Sequence, residues 1–225
     1  MKHGLTTTIY LALIPLALLV ACKRSNTTPR KNNEENTSRV TNTNVKPTYQ
    51  MYYASSGYAY TLPDSINGVP IAFFLSHPQV DTLAKLLYLS VLKPTDNDTT
   101  TRLLALANTP NDTFRPFYRW CLDFVIQLSD GALGEYPGEP ALLYALTFPH
   151  EFFMFMDTDS SGWRYKKWIE LMGYSGFNNQ PLDEEKRKKY MYSTALKNCN
   201  GCDNVIKKRI QQLADDVLKA SRLAD

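Results

Sequence analysis

Residues 204–224 read NVIKKRIQQLADDVLKASRLA. Apolar side chains recur there at alternating steps of four and three residues, which is the period of one face of an α-helix. The apolar positions are Ile206, Ile210, Leu213, Val217, Ala220 and Ala224, and the opposite face carries Lys207, Lys208, Gln211, Gln212, Asp215 and Lys219. These residues therefore predict a long amphipathic helix that packs one side against a core.

The same helical period recurs earlier in the chain. One stripe consists of Val80, Leu83, Leu87 and Val91, and another of Phe114, Phe117, Cys121, Phe124 and Leu128. Shorter helices are predicted near 98–108, 140–147, 149–156, 162–173 and 183–198, with Pro149 in a first turn and with Asp183 and Asp203 or Asn204 as N-caps. Short polar connections favour antiparallel neighbours. We therefore expect an all-α fold, either a helical bundle or a short helical array.

Residues 48–75 depart from this helical pattern. Asn67-Gly68 is a turn signal, and residues 69–75 are β-prone except at Pro70. We expect a small β-hairpin or an extended arm in this part of the chain.

The N-terminus has the order of an export signal. Lys2 supplies a positive charge, and residues 9–21 are apolar but too short to span a bilayer core of about 30 Å. The next feature, Leu19-Val20-Ala21-Cys22, resembles the lipobox of bacterial lipoproteins, and the resemblance covers residues 1–22 only. It implies cleavage before Cys22 and a lipid anchor on the thiol of that cysteine.

Residues 22–47 form a predicted tether between the anchor and the body. Asn, Thr and Ser dominate this segment and aromatic side chains are absent, so we expect it to be disordered. Six basic side chains against two acidic ones give it a net charge of +4, which is favourable near an anionic membrane. No acidic run of the kind that directs some lipoproteins to the cell surface follows Cys22, so we expect the outer membrane, facing the periplasm. The predicted organisation is a signal peptide (1–21), this tether and a single mostly helical domain (48–225).

The charge of the body bears on its partners. Residues 48–225 carry 18 basic and 20 acidic side chains, a net charge of −2. Nucleic-acid binding requires a basic face, so this balance argues against that class. The sequence pI of about 8.5 reflects the positive charge of the signal and the tether.

Three cysteines follow Cys22, namely Cys121, Cys199 and Cys202. Export permits disulfides, and Asn-Gly between the last two cysteines suits a turn where two predicted helices join. We expect a structural Cys199–Cys202 disulfide, with two free thiols or a redox or metal role as the alternatives. A thioredoxin-like site would need a βαβ pattern, which is not evident. Cys121 lies on an apolar stripe and is predicted to be a buried thiol.

Residues 157–162, DTDSSG, resemble the opening of an EF-hand calcium loop, with Asp157, Asp159 and Ser161 in ligand positions. The twelfth position of such a loop supplies a bidentate Glu, and here it is Trp168. We therefore interpret the segment as an interhelix turn that caps the following helix, with calcium binding as the alternative. We expect no metal and no other cofactor.

Catalytic motifs are incomplete in this sequence. His150-Glu151 begins like the zinc-protease motif H-E-x-x-H, but Met154 occupies the place of the second His. Neither a G-x-S-x-G elbow nor a phosphate-binding glycine loop occurs. Carboxylate pairs of the kind that a glycosidase needs are common in exported proteins. We predict that the protein is not an enzyme, and a cell-wall or glycan hydrolase is the second alternative.

The segment DGALGEYPGEP, residues 130–140, gives the strongest signal for binding. It surrounds Tyr136 with the acidic side chains of Asp130, Glu135 and Glu139, and its glycines predict an adaptable connection between helices. An ordinary solvated loop is the other interpretation. We expect an envelope lipoprotein that binds a basic protein partner, as an inhibitor or immunity-type protein does. A structural or assembly component of an envelope complex is the first alternative.

Overall fold

The structure is a computed structural model that describes residues 48–50, 59–178 and 182–224. The predicted signal peptide, Cys22 and the tether lie outside the described residues. Nine α-helices lie within these ranges and confirm the all-α fold class. No helix in them is both long and apolar enough to cross a membrane.

The helices are α1 (Ile71–Ser76), α2 (Thr82–Tyr88), α3 (Asp98–Ala105), α4 (Arg115–Leu128), α5 (Gly138–Thr147), α6 (Pro149–Met156), α7 (Trp163–Ser175), α8 (Glu184–Asn198) and α9 (Asn204–Ala224), with 3-10 helices at Leu106–Asn108 and Gly131–Glu135.

Two short antiparallel β-hairpins precede the helices. They pair β1 (Thr48–Gln50) with β2 (Ala59–Thr61), and β3 (Ser65–Ile66) with β4 (Val69–Pro70). Asn67 (φ 50°) and Gly68 (φ 78°) make the turn of the second hairpin, as the sequence predicts. Left-handed backbone at both positions suits the Asn-Gly pair.

The prediction of β-structure in residues 69–75 is wrong beyond Pro70. The chain enters helix α1 directly after this proline. A short apolar run fits a strand or a buried helix equally well, and here Ile71 and Phe74, which are three residues apart, both face the core.

Helix α4 is the core helix of the described residues, with 12 of its 14 residues buried. It packs against α2, α3 and α7. Its predicted apolar stripe, from Phe114 to Leu128, is buried throughout. A helix that is buried on nearly all sides must satisfy any polar side chain it carries within the protein.

Helices α7 and α9 pack closely against each other. A Cβ on Gly173 would lie 2.6 Å from the Cβ of Ala220 and 2.7 Å from the backbone N of Ser221, so glycine permits this approach. The predicted stripe of α9 faces inward: Ile210, Leu213 and Val217 are buried, and Ile206 and Ala220 are half-buried. Helix α8 packs against the same helix, and α5 packs against both α7 and α8.

The helix starts follow the predicted caps. Asp183 accepts a hydrogen bond from the backbone N–H of Lys186 (2.9 Å), and Asp203 accepts one from that of Ile206 (2.8 Å). Pro149 opens α6. Each cap satisfies an N–H group that the helix itself leaves without a partner.

The end of α2 differs from the prediction. The helix stops at Tyr88, and Ser90 has a positive φ of 61°. Val91 is consequently 69% exposed instead of extending the stripe of Val80 and Leu87. The apolar period therefore continued past the point where the helix stopped.

Candidate functional site

The acidic segment that the sequence singles out is folded. Residues 131–135 form a 3-10 helix, and α5 begins at Gly138, so that Glu139 lies in its first turn. Asp130, Glu135 and Glu139 are all exposed. Glu135 and Glu139 thus lie in helices, and Asp130 lies in extended backbone just before the 3-10 helix.

Gly138 has a packing role that the sequence did not indicate. A Cβ at this position would fall on the hydroxyl of Ser175 and on the carbonyl oxygen of Leu171, so only glycine allows the start of α5 to approach α7. The Ser175 hydroxyl also donates a hydrogen bond to the carbonyl of Gly134 (3.2 Å). This glycine therefore serves the close packing of α5 on α7.

Glu135, Tyr136 and Glu139 line one groove of about 470 Å³. Asp130 does not line it, so the structure brings together three of the four predicted binding residues. Leu143 is 45% exposed in the same groove and offers apolar surface beside the two carboxylates. The remaining lining residues are Thr101, Ala105, Asn108, Pro140, Ser175 and Asn178.

Tyr136 is held in place at this groove. Its ring is half-buried and packs against the core, and its hydroxyl donates a hydrogen bond to Asp96. This hydrogen bond raises the pKa of the Tyr136 phenol, so the hydroxyl stays protonated as a donor. Asp96 adds a further carboxylate beside the groove. Because it lies 40 residues from Tyr136 along the chain, the sequence gave no indication of this contact.

A second polar cluster lies on helix α4 and was not predicted. Arg115, Arg119 and Asp123 follow one another at steps of four residues, and all three are buried. Steps of four place them on one face of the helix. Three charged residues at this spacing inside an apolar helix are visible in the sequence and could have indicated the cluster.

Arg115, at the first position of this face, has a full set of partners. Its guanidinium donates from Nε to Oε2 of Glu151 (3.0 Å), and a second hydrogen bond from Nη2 reaches Oε1 of the same carboxylate. It also donates to the backbone carbonyls of Thr109 and Pro110. The hydrogen bonds with Glu151 raise the pKa of Arg115. This pair is neutral as a whole.

Asp123, at the last position, is 2% exposed and well supplied with donors. Trp168 donates its indole N–H to Oδ1 (2.8 Å), Gln127 donates to the same oxygen (3.3 Å), and Arg164 lies 3.4 Å from Oδ2. Burial raises the pKa of Asp123, and these three neighbours oppose that rise. Asp123 and Arg164 form the second pair of the cluster.

Arg119, between them, lines a cavity of about 440 Å³. Its guanidinium donates to the hydroxyl of Tyr144 (3.3 Å) and to Oδ1 of Asn67 (3.2 Å), and it lies 4.2 Å from the ring centre of Phe155. The side chain of Asn67 reaches it from the turn between β3 and β4. The second hairpin is thereby connected to the core helix.

The cysteines fall into two kinds. Cys199 and Cys202 are joined by a disulfide across the turn between α8 and α9, with Cα atoms 5.5 Å apart. Cys121 is free and fully buried, and burial raises the pKa of its thiol well above the ordinary range. A protonated, enclosed thiol is a poor nucleophile and a poor metal ligand.

The calcium-like segment makes contacts within the protein. Asp157 binds the guanidinium of Arg209 (2.7 and 2.8 Å), and Asp159 accepts from the backbone N–H of Arg164 (2.8 Å) at the start of α7. Hydrogen bonds from Arg164 and from Ser161 lower the pKa of Asp159 to about 2. Within the part of the chain that the structure describes, no group of three or more His, Cys, Asp or Glu side chains is arranged to hold a metal ion.

Comparison of the chain with known protein families, with curated proteins and with solved structures finds no match.

Proposed function

We propose that the protein is a membrane-anchored binding protein of the bacterial envelope, held by lipid on Cys22 and acting through its helical body. The order of the export signal and the lipobox supports the anchor. The groove lined by Glu135, Tyr136 and Glu139 supports the binding role, because it joins acidic, aromatic and apolar surface where α5 packs closely on α7. Its place would be the periplasmic face of the outer membrane, and its mode of action that of an inhibitor or immunity-type protein.

The chemistry of the groove supports a basic protein partner. Two exposed carboxylates and the exposed apolar side chain of Leu143 line the same groove, so the groove suits a protein segment that carries basic residues and an apolar side chain. The carboxylates would raise the association rate of a basic partner, since rim charges act mainly on diffusional encounter. Tyr136 would stabilise the bound state, because its ring can bury apolar area while its hydroxyl keeps Asp96.

The anchor is tested by replacing Cys22. The Cys22→Ala variant should accumulate as an uncleaved or mis-cleaved precursor, take up no labelled fatty acid and leave the detergent phase. Wild-type protein that incorporates no fatty acid under the same labelling would contradict the lipoprotein assignment.

The groove is tested on a partner recovered from membranes after mild cross-linking. Two groove variants and one control variant are compared with wild type by surface plasmon resonance at two salt concentrations. Tyr136→Ala should chiefly speed dissociation. Glu135→Gln with Glu139→Gln should slow association and flatten its salt dependence.

The matched control removes the same charge elsewhere. Glu170→Gln with Glu185→Gln neutralises two exposed carboxylates of α7 and α8 and should leave the kinetics unchanged. If both double variants change the kinetics equally, the effect comes from the net charge of the protein and not from the groove. Wild-type binding by all three variants would place the interface elsewhere, and turnover of a glycan or peptidoglycan fragment would replace the binding function with a hydrolase.

A further inference from the structure

The cavity of about 440 Å³ beside α4 combines apolar walls with buried charge. Pro116, Met154 and Phe155 supply apolar surface, and Arg119 supplies the buried cation. Asn67, Asp112, Glu151 and Thr158 complete the lining. The cavity lies apart from the acidic groove and shares no lining residue with it.

Arg119 is 5% exposed, and its guanidinium is incompletely paired. Within the described residues no carboxylate oxygen lies within 4.0 Å of it, and its acceptors are the neutral oxygens of Tyr144 and Asn67. Its buried Nε–H has no hydrogen-bond acceptor among the residues that the structure describes. A guanidinium carries more N–H donors than these two contacts use. Removing such a cation from water is costly unless an anion compensates it.

The neighbouring charged side chains form two ion pairs, and neither pair includes Arg119. Arg115 holds Glu151 through two hydrogen bonds, and Arg164 lies beside Asp123. The remaining charged residue of the lining, Asp112, is exposed at the rim. The interior of the cluster therefore has a surplus of one positive charge.

Tyr144 keeps the guanidinium oriented without neutralising it. Its hydroxyl accepts from Arg119 (3.3 Å) and donates to Oε2 of Glu151 (3.4 Å). Burial raises the pKa of Tyr144 to about 12, so the phenol does not become the missing anion near neutral pH. Phe155 covers the guanidinium through its ring and keeps its surroundings apolar.

We propose that this cavity binds a carboxylate carried on an apolar group, with Arg119 as its cationic anchor. One surplus positive charge matches a monoanion, and the planar guanidinium matches the two oxygens of a carboxylate. A dianion such as phosphate is disfavoured, because Glu151 and Asp112 would repel the second charge. The apolar walls accept the stem, which is either that of a free small acid or the side chain at a peptide C-terminus.

Two rim variants test the cavity without disturbing the core. Met154 is 60% exposed, so Met154→Glu adds a negative charge at the rim, and Asp112→Asn removes one. Their effects on the binding of an anion must have opposite signs. Arg119→Gln removes the anchor itself, with circular dichroism to check that the variant folds.

The probes are hexanoate, N-acetyl-alanyl-leucine, the amides of both and inorganic phosphate. Each is titrated by calorimetry into the full-length protein in detergent, with empty micelles as the blank. At least one acid should bind about tenfold or more tightly than its amide, since a charge-assisted hydrogen bond is lost in the amide. Met154→Glu should weaken that binding, Asp112→Asn should tighten it, and folded Arg119→Gln should lose it.

The results distinguish a free acid from a peptide C-terminus as the ligand, and they include outcomes that would contradict the proposal. Tighter binding of hexanoate assigns a free acid, and tighter binding of the dipeptide assigns a chain end. Equal binding of acids and amides, phosphate as tight as the acids, or rim variants without opposite effects would overturn the proposal. None of these results depends on the acidic groove, so the proposed function is tested separately.

Discussion

Replacing Trp168 with Phe should show how the buried charge of Asp123 is held. Trp168 is fully buried, and its indole N–H donates to Oδ1 of Asp123 at 2.8 Å. Phenylalanine keeps most of the apolar volume and removes the donor. Asp123 would retain only Gln127 and Arg164 as close partners.

The size of the effect follows from two losses. Removing part of the indole leaves a void of about 40 Å³, which costs about 1 kcal/mol at about 24 cal/mol per Å³. The lost hydrogen bond to a charged group adds about 1.5–3 kcal/mol. Because Asp123 is 2% exposed, water offers little compensation. We expect the free energy of unfolding at pH 7 to fall by about 2.5–4 kcal/mol.

The pH dependence separates the two losses. Burial has already raised the pKa of Asp123 in the folded state, and loss of the indole donor would raise it further. Burying the charged carboxylate lowers stability above the folded pKa, and protonation relieves this as the pH falls through it. In the variant, Asp123 becomes protonated at a higher pH than in wild type, so the destabilisation by its buried charge disappears at a higher pH. Its deficit should therefore be greatest at pH 7 and shrink toward pH 4, with about 1.4 kcal/mol for each unit of difference in pKa.

The assay is urea unfolding at several pH values, with Phe152→Leu as the control. Phe152 is fully buried and its ring lies 5.8 Å from that of Trp168, but it donates no hydrogen bond. The deficit of this control should be a cavity effect and constant with pH. If the two deficits keep a constant difference from pH 7 to pH 4, the indole hydrogen bond does not hold the charge of Asp123.

Gly173→Ala should lower the free energy of unfolding by about 1–3 kcal/mol, because the new methyl meets Ala220 and the backbone beside it. Urea titration measures this, and an unchanged midpoint would contradict the close packing of α7 on α9. Thiol titration of unfolded, non-reduced mature protein should find one thiol, that of Cys121, whereas three thiols would remove the disulfide. Calcium should leave the melting temperature at its value in chelator, because the carboxylates of residues 157–162 are engaged by Arg209 and by the backbone of α7. A clear rise with calcium would restore the calcium hypothesis.

The helices could be predicted because local signals define them. The apolar period of residues 206–220 reappears as the inward face of α9, and Pro149, Asp183 and Asp203 begin helices as their chemistry suggests. These signals act within a few residues of one another. They therefore survive in a single sequence without knowledge of tertiary contacts.

The parts that could not be predicted depend on tertiary approach. Gly138 resembles a flexible loop glycine in the sequence, and only the proximity of α7 shows that it serves packing. The cation of Arg119 depends on Asn67 and Tyr144, which lie 52 and 25 residues away along the chain. The hydrogen bond from Tyr136 to Asp96 is likewise long-range. The apolar period of a buried helix does not predict which of its charged residues form hydrogen bonds or ion pairs with distant parts of the chain.

The near-complete burial of α4 also limits how this sequence can change over evolutionary time. On a surface helix such as α8, where Met191 and Ala195 are the buried positions, most residues can change without filling or emptying space in the core. A residue of α4 can change only together with the helices that enclose it, and Arg115, Arg119 and Asp123 only together with their partners. The spacing R-x-x-x-R-x-x-x-D within an apolar helix should thus be the slowest-changing feature of the body, and the most useful one for recognising distant relatives.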